Sequence, residues 1–130
     1  MEYKHRIADK MLAKKLASKG AVLIEGPKWC GKTTTAEQHA RSILYMDNPA
    51  SLETNLQMAE IDASVLLDGD TPRLIDEWQL APKLWDAIRF EVDHRHDVGQ
   101  FVLTGSAVPA EEKDMHHSGT GRFSWLTMRP

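Results

Sequence analysis

The sequence predicts an α/β domain whose sheet is parallel at its core and covered by helices on both faces. Three observations carry that prediction. Short apolar runs at residues 21–24, 43–46, 73–77 and 100–104, and another beginning near Phe123, alternate with stretches of helical period. The first run opens directly into a glycine-rich loop, Gly26-Pro27-Lys28-Trp29-Cys30-Gly31-Lys32-Thr33. At 130 residues the chain has room for one core and not for two.

The elements follow in order. Residues 1–20 place Ile7, Met11, Leu12 and Leu16 on a helical stripe, with Gly20 where a C-cap belongs. Ala21-Val22-Leu23-Ile24 is a strand, and Lys32 to about Ser42 suits a helix. Ile43-Leu44-Tyr45-Met46 is a second strand, closed by Asp47-Asn48-Pro49. Residues 49–60 suit a helix with Pro49 in its first turn and Leu52, Leu56 and Ala59 along one face. Asp62 to Leu67 adds a short helical turn before the Asp68-Gly69-Asp70-Thr71-Pro72 break. Arg73-Leu74-Ile75-Asp76-Glu77 is the third strand. Pro82 starts a helix whose face carries Leu84, Trp85, Ile88 and Val92 as far as about Arg95. Asp97-Val98-Gly99 turns into the fourth strand, Gln100 to Thr104. Residues 105–121 form a loop before a fifth strand.

Charge and composition exclude some functions. A formal charge of −3 argues against a generic nucleic-acid binder. The first 20 residues are locally basic, with Lys4, Arg6, Lys10, Lys14, Lys15 and Lys19 against Glu2 and Asp9. They read as the solvated face of a packed helix, with a nucleic-acid or partner contact as the alternative. No stretch approaches the roughly 18 apolar residues of a membrane span, and a cytoplasmic protein is the default expectation. The single cysteine, Cys30, has no internal disulfide partner.

The glycine-rich loop is a complete G-x-x-x-x-G-K-[ST] phosphate-binding pattern in its required context, a strand in front and a helix behind. Gly26 and Gly31 let the backbone bend and turn its N–H groups toward phosphate oxygens, with Pro27, Lys28, Trp29, Cys30 and Thr34 completing the cradle. Lys32 reaches the outer phosphates, the Thr33 hydroxyl ligates Mg²⁺, and the following helix adds its N-terminal dipole. Leu74-Ile75-Asp76-Glu77 has the Walker B arrangement. Asp76 at a strand's carboxyl end would complete the metal shell opposite Thr33. Strand alternation points Glu77 in a different direction, toward an attacking water that it would orient or deprotonate.

Thr104, ending the fourth strand before Gly105 and Ser106, is a candidate sensor of the γ-phosphate or lytic water, or else ordinary turn chemistry. Arg122, in Gly119-Thr120-Gly121-Arg122, is a candidate arginine finger or a solvated arginine opening a strand, and Arg129 is a weaker second candidate. His94 with His96, and His116 with His117, lack the spacing of a zinc pair and read as surface residues. Trp78, Trp85 and Trp125 read as packing residues.

Together, the phosphate loop, Leu-Ile-Asp-Glu-Trp-Gln (74–79), Leu-Ala-Pro-Lys-Leu-Trp-Asp (80–86), Leu-Thr-Gly-Ser (103–106) and Ser-Gly-Thr-Gly-Arg (118–122) resemble the N-terminal ATPase domain of a family of prokaryotic AAA-type ATPases. In that family a C-terminal domain of unknown function follows. The resemblance covers the chain from about Glu2. It implies a three-layer P-loop fold of the additional-strand, catalytic-glutamate type, with strand order 5-1-4-3-2. It implies Mg²⁺-dependent ATP hydrolysis coupled to conformational change. The roles it implies are Lys32 and Thr33 on phosphate and metal, Asp76 on Mg²⁺, Glu77 as base, Thr104 as sensor and Arg122 as finger. Residues 1–130 are expected to be the core domain of a longer protein. ATP and ADP are the expected ligands, while a homo-oligomer and a protein client stay open. Two other functions share the loop: a small-molecule kinase, and a nucleotide-gated binding module with weak hydrolysis. A GTPase is disfavoured because no Asn-Lys-x-Asp motif occurs.

Overall fold

A computed structural model describes residues 2–27, 30–105 and 122–128. Helix α1 (Glu2–Leu16) leads into β1 (Ala21–Glu25), α2 (Lys32–His39), β2 (Ser42–Tyr45) and α3 (Leu52–Asp62). A 3-10 turn (Ala63–Leu67) precedes β3 (Arg73–Asp76), and a second one (Trp78–Leu80) precedes α4 (Lys83–Arg95). Strands β4 (Phe101–Gly105) and β5 (Phe123–Thr127) complete the sheet. Its order is β2-β3-β4-β1-β5, with every neighbouring pair parallel. Read from the other edge, that is the 5-1-4-3-2 order implied by the resemblance.

Strand alternation sorts the core into two layers. Ala21, Leu23, Ile75, Phe101, Leu103 and Phe123 pack against Ala59 of α3 and Leu84, Trp85, Ile88 and Val92 of α4. Val22, Ile24, Leu74, Val102 and Leu126 pack against Ala8, Leu12 and Leu16 of α1 and Ala36 of α2. Trp85 is the hub of the first layer, its ring centroid 4.6 Å from Phe123, 5.8 Å from Trp78 and 6.4 Å from Trp125. Both faces of the central strands β3, β4 and β1 are therefore buried, which is why these strands are apolar runs and not alternating ones, whereas the edge strand β2 stays partly exposed.

Several local expectations shift. The buried stripe of α1 is Ala8, Leu12 and Leu16, whereas Ile7 and Met11 are exposed. Adjacent apolar residues at 11 and 12 leave the helix phase ambiguous until one face meets the sheet. Gly20 is not a helix cap, since α1 ends at Leu16. A Cβ there would collide with a Val92 methyl, so glycine permits close packing under α4. Helix α2 stops at His39, because Arg41 already donates its N–H to the Pro72 carbonyl as the chain joins the sheet. Helix α3 begins at Leu52, not near Pro49. The Asn48 side chain accepts the Ala50 N–H and holds the intervening residues in a turn. Among the described residues no helix is long and apolar enough to cross a membrane.

Candidate functional site

In a parallel sheet every strand's carboxyl end faces the same way, so the segments after β1, β2, β3 and β4 meet along one edge. There, residues 31–34, Asp47, Asp76 and Glu77 line a cavity of about 440 Å³, within the usual range for small-molecule sites.

The loop after β1 forms one wall. Gly31 adopts a left-handed conformation (φ 89°) that turns the chain into α2. Among the described residues no side chain caps that helix, and its first turn carries no acidic residue, so its leading N–H groups and dipole suit an incoming anion. Gly26 is packed tightly, with a Cβ there lying 2.6 Å from the Met128 carbonyl oxygen and 2.8 Å from Cys30 Sγ. The Cys30 side chain is buried in the layer beneath α1, so it packs the loop onto the core. Pro27 contributes its carbonyl, which accepts from Lys32 Nζ at 3.3 Å. Lys28 and Trp29 lie outside the described residues. Lys32 itself is 4% exposed, and Glu77 Oε1 is 4.0 Å from its ammonium. A buried ammonium held this loosely favours a further anion.

The opposite wall follows from register. Tyr45, Asp76, Thr104 and Ile24 are successive partners across β2, β3, β4 and β1. Asp76 and Thr104 continue the alternation of Leu74 and Val102, so both face the α2 layer. The Thr33 hydroxyl donates to Asp76 Oδ1 at 2.7 Å, and the Thr104 hydroxyl donates to the same oxygen at 2.5 Å. Thr104 is fully buried and its hydroxyl is committed to Asp76, so here it orients that carboxylate. A hydroxyl and a carboxylate are both hard oxygen donors, the ligand type that Mg²⁺ takes.

Glu77 does not continue the strand. It takes a left-handed conformation (φ 57°, ψ 48°), which brings its carboxylate back beside Lys32, at the same cavity as Asp76. Strand alternation therefore does not set its direction. Gln79, in the turn that follows, donates its amide to Glu77 Oε2 at 2.5 Å. Two contributors were not singled out from sequence: Gln79, and Asp47 at the β2 end of the cavity. An acid just after a strand on the same sheet edge as the phosphate loop was the available signal for Asp47. Beside it, the Tyr45 hydroxyl donates to Glu37 of α2, and that bond pushes the phenol up to about 12.

Arg122 lies apart from this cluster. It precedes β5, and its carbonyl accepts from Gly20 and Ala21 at the amino end of β1. The length of a five-residue strand, roughly 17 Å, separates that end from the phosphate loop. Its guanidinium is 3.0 Å from Asp93 on α4. The finger expected at Arg122 therefore does not reach this chain's own cavity. Arg129, His116 and His117 lie outside the described residues. His94 stacks on Phe90 with its Nδ1 2.8 Å from that residue's carbonyl, and His96 is exposed after α4.

The fold and this edge define a P-loop domain of the nucleotide-binding ATPase class. Residues 18–130 match a family described as AAA domain, and the chain belongs to that family. No curated protein matches the chain significantly.

Proposed function

We propose that this domain binds ATP with Mg²⁺ at the β1–α2 junction and hydrolyses it, coupling turnover to a conformational change. The observation that supports the reading most directly is the meeting of Lys32, Thr33, Asp76 and Glu77 at one cavity, although more than 40 residues separate the two pairs in sequence.

Lys32 and the N–H groups opening α2 would bind the phosphates. Thr33 and Asp76 would hold Mg²⁺, which supplies charge neutralisation on the phosphate oxygens when bound. Thr104 fixes the Asp76 carboxylate through its hydrogen bond. Glu77 accepts a proton from water as the water oxygen attacks the γ-phosphorus. The bond to the β-phosphate oxygen breaks, and ADP and phosphate leave. An arginine finger at Arg122 would serve the nucleotide of a neighbouring copy, because it stands at the far end of its own sheet. A homo-oligomer follows from that reading.

Phosphate release with Mg²⁺-ATP tests the proposal. Lys32→Ala should lose binding, and Glu77→Gln should keep binding and lose turnover. Turnover indifferent to both changes would defeat it.

A further inference from the structure

We propose that Gln79 is the positioning residue for Glu77, a role that rests on the ATPase reading above. Because Glu77 leaves β3 in a left-handed conformation, strand pairing does not fix its side chain. Among the described residues, two groups reach the carboxylate. Lys32 Nζ is 4.0 Å from Oε1, and Gln79 Nε2 donates to Oε2 at 2.5 Å. The two oxygens thus have different partners, with Oε1 on the ammonium side. Lys32 is also the group that would engage phosphate, and doing so would draw it from Glu77. The neutral amide has no such competing task, so it holds the carboxylate through the reaction.

The amide is itself held. The turn is closed by the Leu80 N–H on the Glu77 carbonyl at 3.2 Å and the Ala81 N–H on the Trp78 carbonyl at 3.0 Å. The Gln79 side chain lies against the end of β4, where a Cβ on Gly105 would come 2.5 Å from Oε1. That oxygen is buried without a hydrogen-bond partner among the described residues. Rotating the amide by half a turn would set its oxygen against the Glu77 carboxylate, two acceptors face to face. The orientation that leaves Oε1 unsatisfied is therefore the one that serves Glu77. Gly105 leaves the space in which the amide sits.

Single-turnover ATP hydrolysis and ATP affinity should be measured for the chain, Gln79→Leu, Glu77→Gln and the double variant. Gln79→Leu should slow hydrolysis about tenfold, a fraction of what a general base contributes, while the Kd for ATP stays within about twofold. In the Glu77→Gln background the same change should have no further effect, because it acts only through that carboxylate. Gly105→Ala keeps the amide but crowds it, with the Trp78 ring next nearest at 3.1 Å, and should reproduce the slower rate only while Glu77 is present; it carries the test if Gln79→Leu does not fold. An unchanged rate in both variants, or an equal loss with and without Glu77, overturns the role. If wild-type turnover is itself indifferent to Glu77→Gln, the ATPase reading falls, and this role falls with it.

Discussion

The Thr33 hydroxyl and Asp76 Oδ1 stand 2.7 Å apart although 43 residues separate them in the chain. One opens the helix after β1, and the other ends a strand two places away in the sheet, beyond β4. The contact joins the phosphate loop to the acid-bearing strand. The metal role proposed for Asp76 predicts that Asp76→Asn weakens Mg²⁺-ATP binding more than binding of metal-free ATP, by about tenfold or more. Equilibrium titrations with and without excess chelator make the comparison.

Replacing Glu77 separates chemistry from binding. The Gln variant should retain ATP affinity within about threefold and lose turnover by about 10²–10⁴-fold, the range for a positioned general base. Rapid-quench assays at saturating ATP measure the second quantity.

Arg122 gives a test of geometry. Because its guanidinium pairs with Asp93 at the opposite end of the sheet, Arg122→Ala should leave nucleotide affinity of the isolated chain unchanged within about twofold. Any fall in turnover should appear only at concentrations where chains associate, as seen by activity measured against protein concentration.

Helix α1 tests the packing. Leu12 is fully buried in the layer that also supports Cys30, so Leu12→Ala should cost about 2–5 kcal/mol in denaturant unfolding. Met11, its exposed neighbour, should change stability by less than about 0.5 kcal/mol when replaced by Ala.

Tyr45 gives the pH-dependent signature. The hydrogen bond to Glu37 favours the neutral phenol and pushes it up to about 12 from 10.0. Folded chains then keep this proton between about pH 10 and 12 while unfolded chains release it. The contribution is present below pH 10 and declines as pH rises through that window. Absorbance titration near the phenolate band should show a late-ionising tyrosine that Tyr45→Phe removes.

Much of this site was legible because its signals are local. A strand, a spaced glycine loop and a helix start within thirteen residues identify the phosphate cradle, and a carboxylate ending an apolar run identifies Asp76. Sheet order came from the family resemblance, since periodicity says nothing about which strands pair. What spacing missed depends on tertiary context. The left-handed turn at Glu77 carries no glycine to announce it, and Gln79 matters only because that turn folds it back. Arg122 looked close to the chemistry because a glycine loop precedes it. Following strand direction instead sends it to the amino edge, away from Lys32. Thr104 reads as a sensor by position, yet its register with Asp76 turns the hydroxyl onto the carboxylate.

Calorimetric titration of the chain with ATP, in Mg²⁺ and in chelator, tests the central claim most directly, with Lys32→Ala as control. Heat of saturable one-to-one binding that strengthens with Mg²⁺ and vanishes in the lysine variant is the result expected of this cavity. Equal binding by wild type and Lys32→Ala, or none by either with the fold intact, would contradict it.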